Sequence, residues 1–255
     1  MSLESTAPPF DTTKKYHHTQ TPNPQWTPGS GASSTGTSKK IELDPYASDR
    51  SPVDNYKLLV SAVTPRPIGF VSTISANGDR NLAPFSFFST AHYDPPIFTV
   101  GFCNNQGGAQ KDTLVNILQT KECTINIISE WFVEAANHTC IGAPYEVDEW
   151  ELSGLTPASS TKVNAPHVAE SAFSVECKLI HSHEWTSKVN PDSKTGVLCI
   201  FEGINFHIGE AVINEERNLV DIAKLQPVSR LGGMSYGRTT EGYELPRPDY
   251  TPRDS

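Results

Sequence analysis

No Gly-x-Gly-x-x-Gly turn follows a strand-like run in this chain, and no Gly-x-x-x-x-Gly-Lys-Ser/Thr loop occurs. A doubly wound dinucleotide domain and a P-loop nucleotidase are therefore not indicated. The five cysteines, Cys103, Cys123, Cys140, Cys177 and Cys199, are odd in number and form no CxxC pair. Several lie in apolar runs, which predicts buried reduced thiols and a reducing, cytoplasmic setting rather than a disulfide framework. Basic residues are short: 20 Lys and Arg stand against 29 Asp and Glu, a formal net charge of −9. The basic face needed to hold a nucleic-acid backbone is missing, so no such partner is expected. No run reaches the roughly 18 apolar residues of a membrane span. Met1–Phe10 has no apolar signal-peptide core, and no Arg precedes Arg50, against a transit peptide. No pattern marks a Ser-His-Asp or Cys-His site, so no catalytic residue is assigned.

What is present divides into three parts. Residues 1–50, rich in Thr, Ser, Pro and Gly, bury too little apolar surface to offset ordering entropy and are predicted to be a disordered tail. Residues 51–240 read as one domain, large enough to hold its own core, and residues 241–255 as an irregular, proline-rich end. Within the domain, Val53–Val60 suggests a short helix or turn. Leu114, Ile117 and Leu118 form the apolar face of a helix opening at Lys111-Asp112-Thr113, with Asp112 as N-cap candidate. Cys123–Ser129 and Ala172–Trp185 read as strands, Gly196–Val212 as one or two more, and Trp131–Cys140 and Leu219–Leu225 as helices. Residues 141–165 read as a long loop. Many strands with few helices point to a mainly β barrel.

The chain is organised around residues 65–102, PRPIGFVSTISANGDRNLAPFSFFSTAHYDPPIFTVGF. Asn77-Gly78 between apolar runs predicts a hairpin with both turn residues at positive φ. Asp94-Pro95-Pro96 breaks the chain before another strand, Ile97–Phe102. The stretch NLAPFSFFSTAHYDPPIFTVGF resembles the flavin reductase-like family of FMN-binding split barrels. The resemblance continues, in order, through KDTLVNI (111–117), TINIIS (124–129), AESAFSVECKL (169–179), IGEAV (208–212) and RLGGMSYGR (230–238). It covers about residues 53–240. It implies a six-stranded Greek-key split β-barrel with a few flanking helices, a homodimer, and FMN as cofactor with NADH or NADPH as reductant. Electrons would pass to flavin, oxygen or a small organic acceptor. The alternatives are a flavin-dependent oxygenase of a small organic substrate and a flavin-binding module without turnover.

On pattern alone, Lys111 is a solvated charge and Asp112 a helix cap. The resemblance instead makes Lys111, Asp112 and Thr113 contacts of the FMN phosphate, at a helix start whose free N–H groups favour anions. Asn81, Ala83, Pro84, Phe85, Ser86, Phe87, Phe88 and Ser89 would hold the isoalloxazine ring, mainly through backbone groups. Pro84 interrupts strand pairing there because it has no N–H to donate. The alternative for this run is a Phe-rich barrel core. Arg66, between two prolines, suits an anion or flavin-edge contact or a structural salt bridge. Arg230 suits a phosphate contact or a barrel-closing turn, and Thr73 the flavin tail. His181 and His183 share a strand face but lack further ligands for a metal, and His92 is a candidate to face flavin or substrate.

Overall fold

The computed structural model describes residues 3–34, 39–105 and 107–250. Strands β1 (Gly69–Ile74) and β2 (Arg80–Phe85) pair antiparallel, with Thr73 opposite Asn81 and Ile74 opposite Arg80. The turn between them differs from expectation. Only Gly78 has a positive φ, +96°, while the Gly78 N–H donates to Ser75 O at 3.1 Å and the Ser75 N–H to Asp79 O at 2.8 Å. This is a type I turn closed by a left-handed glycine, the three-residue hairpin form. Ser75 Oγ stabilises it by accepting the N–H groups of Asn77 and Asp79, so Asn77 need not leave the right-handed region.

Strand β2 continues after the two-residue step Ser86–Phe87 into β3 (Phe88–Tyr93), which pairs with β4 (Pro96–Cys103). With β5 (Glu122–Asn126), β6 (Phe173–Thr186) and β7 (Lys194–Ile208), the sheet order is β2-β1-β5-β6-β7-β4-β3, antiparallel throughout. The two ends of that order are halves of one chain segment. The sheet therefore closes on itself as six strands, split where the shared strand steps from one neighbour to the other. Two glycines permit the step. A Cβ on Gly69 would lie 3.0 Å from the Phe88 ring, and one on Gly101 3.2 Å from Phe87 Cβ, while the Gly101 N–H donates to Phe87 O at 2.7 Å.

Burial follows from this closure. Val71, Phe88, Val100, Phe102, Leu114, Ile117, Ile125, Val175 and Phe201 fill the barrel, and Phe70, Leu82, Ile128, Phe132, Trp150 and Leu155 form a second cluster. Adjacent residues of β1, Phe70 and Val71, enter different clusters, which is why the strand reads as continuously apolar rather than alternating. Helix α1 (Pro52–Ala62) starts with a Ser51/Asp54 capping box. Helix α2 (Asp112–Thr120) buries Leu114 and Ile117, as its spacing predicted. Its N-cap, however, is Lys111, and no side chain caps it. Asp112 is one residue inside the helix and does not fill the cap role assigned to it.

A short 3₁₀ turn precedes α3 (Val133–His138). The predicted 141–165 loop contains α4 (Glu149–Ser153), capped by Asp148, which accepts from the Trp150 N–H. Leu219–Leu225 shortens to α5 (Ile222–Leu225), and of the one or two strands expected over 196–212 the structure has one, the 15-residue β7 with register shifts, which starts at Lys194 and ends at Ile208. No helix among the described residues is long and apolar enough to cross a membrane.

The head segment, expected to be disordered, makes contacts. His17–His18 pairs parallel with Glu241–Gly242, in the end segment expected to be irregular. Arg238 donates to Asp11 O at 2.9 Å and Lys14 O at 3.2 Å, and lies 4.2 Å above the Phe10 ring.

Candidate functional site

The step in the barrel wall opens a cavity of about 390 Å³ between β2, the N-terminus of α2, α1 and the 139–143 segment. Nine residues singled out from sequence meet in its lining: Asn81, Ala83, Pro84, Phe85, Ser86, Phe87, Lys111, Asp112 and Thr113. Geometry explains their convergence. The strand carrying residues 81–85 ends where pairing with β1 ends, and α2 packs its buried face onto β1 and β2, which brings its start beside Asn81. Phe87 is 40 % exposed, an apolar surface turned to the cavity rather than the core. Phe85 packs edge-on against Phe102 at 4.6 Å, so the core alternative holds for part of the Phe run.

The other singled-out residues do not line this cavity. Thr73 is fully buried, and its Oγ1 accepts from Asn116 Nδ2 at 3.0 Å; its role is to seat α2, which corrects its assignment to a flavin tail. Phe88 belongs to the barrel core, stacked on Phe98. Ser89 is exposed beyond the step. Arg230 points into an adjoining cavity of about 1020 Å³, where it donates to Gly233 O (2.7 Å) and Met234 O (3.3 Å) and lies over the Tyr236 ring. The turn reading fits those bonds. Arg66 is buried and makes no salt bridge among the described residues; its guanidinium donates to Val60 O (2.5 Å), Val63 O (2.7 Å), Leu231 O (3.1 Å) and Ser86 Oγ (3.4 Å). It closes the C-terminal end of α1, and two of its four partners, Val60 and Ser86, belong to residues that line the cavity. His92 holds the Asp94 N–H in the turn after β3 and is not in the cavity lining. His181 and His183 lie on the exposed end of β6, with His183 against Trp185. Among the described residues no group of three or more His, Cys, Asp or Glu could hold a metal.

Sequence reasoning missed Glu149. It is the first residue of α4, buried to 5 % exposure, and lines the cavity. Its Oε2 accepts from Asn81 Nδ2 (3.0 Å) and the Leu82 N–H (3.3 Å). A carboxylate oxygen taking two N–H groups fixes the Asn81 amide, whose Oδ1 then accepts the Thr113 hydroxyl at 2.6 Å. The Thr113 proton is thereby committed, so Thr113 cannot donate from its side chain to a phosphate. Burial pushes the Glu149 carboxyl above its ordinary range, with its hydrogen bonds opposing and the Asp112 charge adding. Burial also raises Asp112, partly offset by the Lys111 charge and reinforced by Glu146. Asp148 beside Glu149 is anchored by Arg80, whose Nη2 lies 2.6 Å from its carboxylate. The available signal was Asp148 ahead of an apolar pair, an N-cap pattern inside a stretch read as loop.

The cysteines are all free. Cys123, Cys177 and Cys199 are buried, as expected for thiols in apolar runs, whereas Cys103 and Cys140 are exposed and line the cavity. Burial of the sulfur raises both thiols, against opposing charges that include Lys111 in each case. Neither is a ready thiolate.

Taken together, the cavity offers an apolar aromatic wall and a helix start with no side-chain cap beside Lys111, whose ammonium makes no hydrogen bond or ion pair among the described residues. A flavin fits this donor set: a planar ring for the Ala83–Phe87 wall and a phosphate for the N–H groups of α2. The comparisons agree on the fold. The sequence model of the flavin reductase like domain matches residues 61–224. An uncharacterized protein of Aquifex aeolicus is 39 % identical over 181 residues, 71 % of this chain and 88 % of that one. Nitrilotriacetate monooxygenase component B from Bacillus cereus superposes with a TM-score of 0.76 at 31 % identity, covering 82 % of this chain and 100 % of its own. The 2-nitrobenzoate 2-nitroreductase NbaA of Pseudomonas fluorescens gives a TM-score of 0.72 at 28 % identity, over 84 % and 99 % of the two chains.

Proposed function

The chain belongs to the flavin reductase like family, and from that premise we propose that it is an FMN-binding oxidoreductase reduced by NADH or NADPH, with the cavity at the barrel step as its flavin site. The observation that carries this reading is the meeting of the Asn81–Phe87 wall with an uncapped α2 start and a Lys111 without a partner among the described residues, in one cavity. Free N–H groups at a helix start carry a partial positive charge and suit a phosphate. Lys111 adds a full charge and three donors. The choice of FMN over FAD rests on that terminal phosphate site.

When bound, the flavin supplies the hydride-accepting and electron-delivering chemistry. The protein's part is to bind, orient and exclude water. Pro84 has no N–H to donate, and pairing with β1 ends at Phe85, so the polar edge of a ring would meet the main chain around Ser86. Phe87 covers one side. The Glu149–Asn81–Thr113 chain holds the α2 start in register with β2. Tyr56 and Val60 of α1 close the rim, and α1 also exposes Val53, Leu58, Leu59 and Val63. An apolar face of this kind beside the cavity supports a homodimer in which a second copy covers it. Residues 51–240 are taken as the flavin-binding domain, with 1–50 and 241–255 as flanking segments.

The acceptor is free flavin, oxygen or a small organic molecule. The name of NbaA, a nitroreductase, supports an organic acceptor for that relative, and the adjoining 1020 Å³ cavity, which shares Tyr56, Pro84, Ser86 and Cys140 with the first, has room for one here. The test is direct. The purified protein should carry or take up FMN with a flavin spectrum, and NADH or NADPH added without oxygen should bleach it. A flavin that stays yellow under both donors would overturn the proposed reductant and favour a binding module. An apo-protein that takes up no flavin would overturn the site.

A further inference from the structure

Arg66 retains 7 % of its surface and presents a full charge to the interior. Its four acceptors are all neutral: two carbonyls at the end of α1, the Leu231 carbonyl and the Ser86 hydroxyl. No carboxylate lies within ion-pair distance among the described residues. A buried cation without a counter-ion is costly. The C-terminal carbonyls of α1 offset part of that cost through the negative end of the helix dipole. The guanidinium Nε lies 3.4 Å from Ser86 Oγ, and Ser86 lines the cavity.

The backbone does not let this charge retreat. The Arg66 N–H donates to Arg230 O at 3.0 Å and the Arg230 N–H to Arg66 O at 2.9 Å, and Pro65 and Pro67 restrict the residue on both sides. Arg230 brings no counter-ion with it, since its guanidinium bonds the Gly233 and Met234 carbonyls and lies over the Tyr236 ring. Ser86 Oγ accepts from Arg66 and keeps its single proton for another partner. A hydroxyl that accepts from a cation becomes a stronger donor on its other side. Reduction of a flavin places negative charge near N1 and O2, so a polarised donor and a nearby cation interact more strongly with the reduced form than with the oxidised one.

We propose that Arg66 is a positioning residue for the redox chemistry: acting through Ser86, it makes the cavity bind reduced flavin more tightly than oxidised flavin and so raises the potential of the bound cofactor. This rests on the reading that the flavin occupies the cavity at the barrel step. The competing role, a helix cap alone, predicts something different. Loss of a cap loosens α1 and weakens both redox states together, leaving the potential where it was.

The experiment measures FMN affinity anaerobically in both redox states, together with the midpoint potential, for the wild type, Arg66→Gln and Ser86→Ala. Arg66→Gln should weaken reduced FMN about tenfold more than oxidised FMN, which is a fall of about 30 mV for a two-electron couple. Ser86→Ala leaves every bond between Arg66 and α1 in place and should lower the potential in the same direction by less. An unchanged potential in both variants, or an unchanged potential in Ser86→Ala when Arg66→Gln does not fold, would overturn the proposal and leave Arg66 as a cap. Absence of flavin binding by the wild type would instead remove the cavity reading, and the proposal with it.

Discussion

Glu149 and Glu176 are both buried, and their surroundings drive them in opposite directions. Glu149, at the cavity, has the Asn81 amide and the Leu82 N–H as partners outside its own helix, and burial prevails, so its carboxyl is raised. Glu176 on β6 is fully buried as well, and burial again acts to raise it. There it is overcome by the Asn205 amide, the N–H groups of Thr161 and Lys162, and His207 Nε2, which bring it from 4.5 to about 2. The Val163 N–H also donates to it at 3.0 Å. Glu176 is a saturated anion that ties the 161–163 loop to the barrel. Glu149 is an under-supplied one beside a cavity. Hydrogen-bond supply, rather than burial, separates a carboxylate that holds the fold from one that keeps capacity to respond to what enters the cavity.

The largest expected effect breaks the saturated side. Glu176→Gln leaves backbone donors competing for one acceptor and should cost on the order of 3 kcal/mol of stability, read as a lower urea midpoint at unchanged slope, with FMN affinity of the folded protein unaltered. The same contrast has a pH signature. The unfolded chain binds more protons than the native one between 4.5 and about 2, so the Glu176 contribution is full above that window and fades as pH falls through it. Acid unfolding of Glu176→Gln should be correspondingly less steep than that of the wild type.

A smaller effect belongs to Thr113. Its hydroxyl is committed to Asn81, so Thr113→Val should lower stability by about 1 kcal/mol while shifting FMN and riboflavin affinity equally. Selective loss of FMN binding would show that the hydroxyl reaches the phosphate after all. The smallest change is expected from Glu149→Gln. Its raised carboxyl binds protons in the native state at pH values where the unfolded chain has released them, so wild-type stability falls as pH rises through that window. Glu149→Gln should remove that decline and alter the neutral-pH melting temperature by only a degree or two, about 0.5 kcal/mol or less. A variant that keeps the decline would place the titration elsewhere, with Asp112 the next candidate.

Much of the site was legible because it is local. Strand pairing, the Asn-Gly turn and the α2 face follow from short periodic runs, and the cavity wall comes from one short stretch, Asn81 and residues 83–87, with Leu82 turned into the core. The parts not legible depend on distant neighbours. Glu149 reaches Asn81 only because α4 folds inside what reads as a loop. Glu176 looks like any polar residue in a strand until loop 161–163 turns its N–H groups inward. Thr73 resembles a site residue because it ends β1, yet α2 covers it. Arg66 was read as an anion contact or a structural salt bridge, and among the described residues it bonds three carbonyls and one hydroxyl instead, which local sequence does not reveal. The barrel closure itself rests on a single strand serving two neighbours, which no local pattern reveals.

The central claim is that a phosphate-bearing flavin sits with its phosphate at the start of α2. The most direct measurement is fluorescence titration of apo-protein, wild type and Lys111→Ala, with FMN and with riboflavin. A charge-assisted contact contributes roughly 1.5 to 3 kcal/mol, so Lys111→Ala should weaken FMN about ten- to a hundredfold and leave riboflavin nearly unchanged. Equal losses for both ligands, or FMN affinity that does not move, would contradict it.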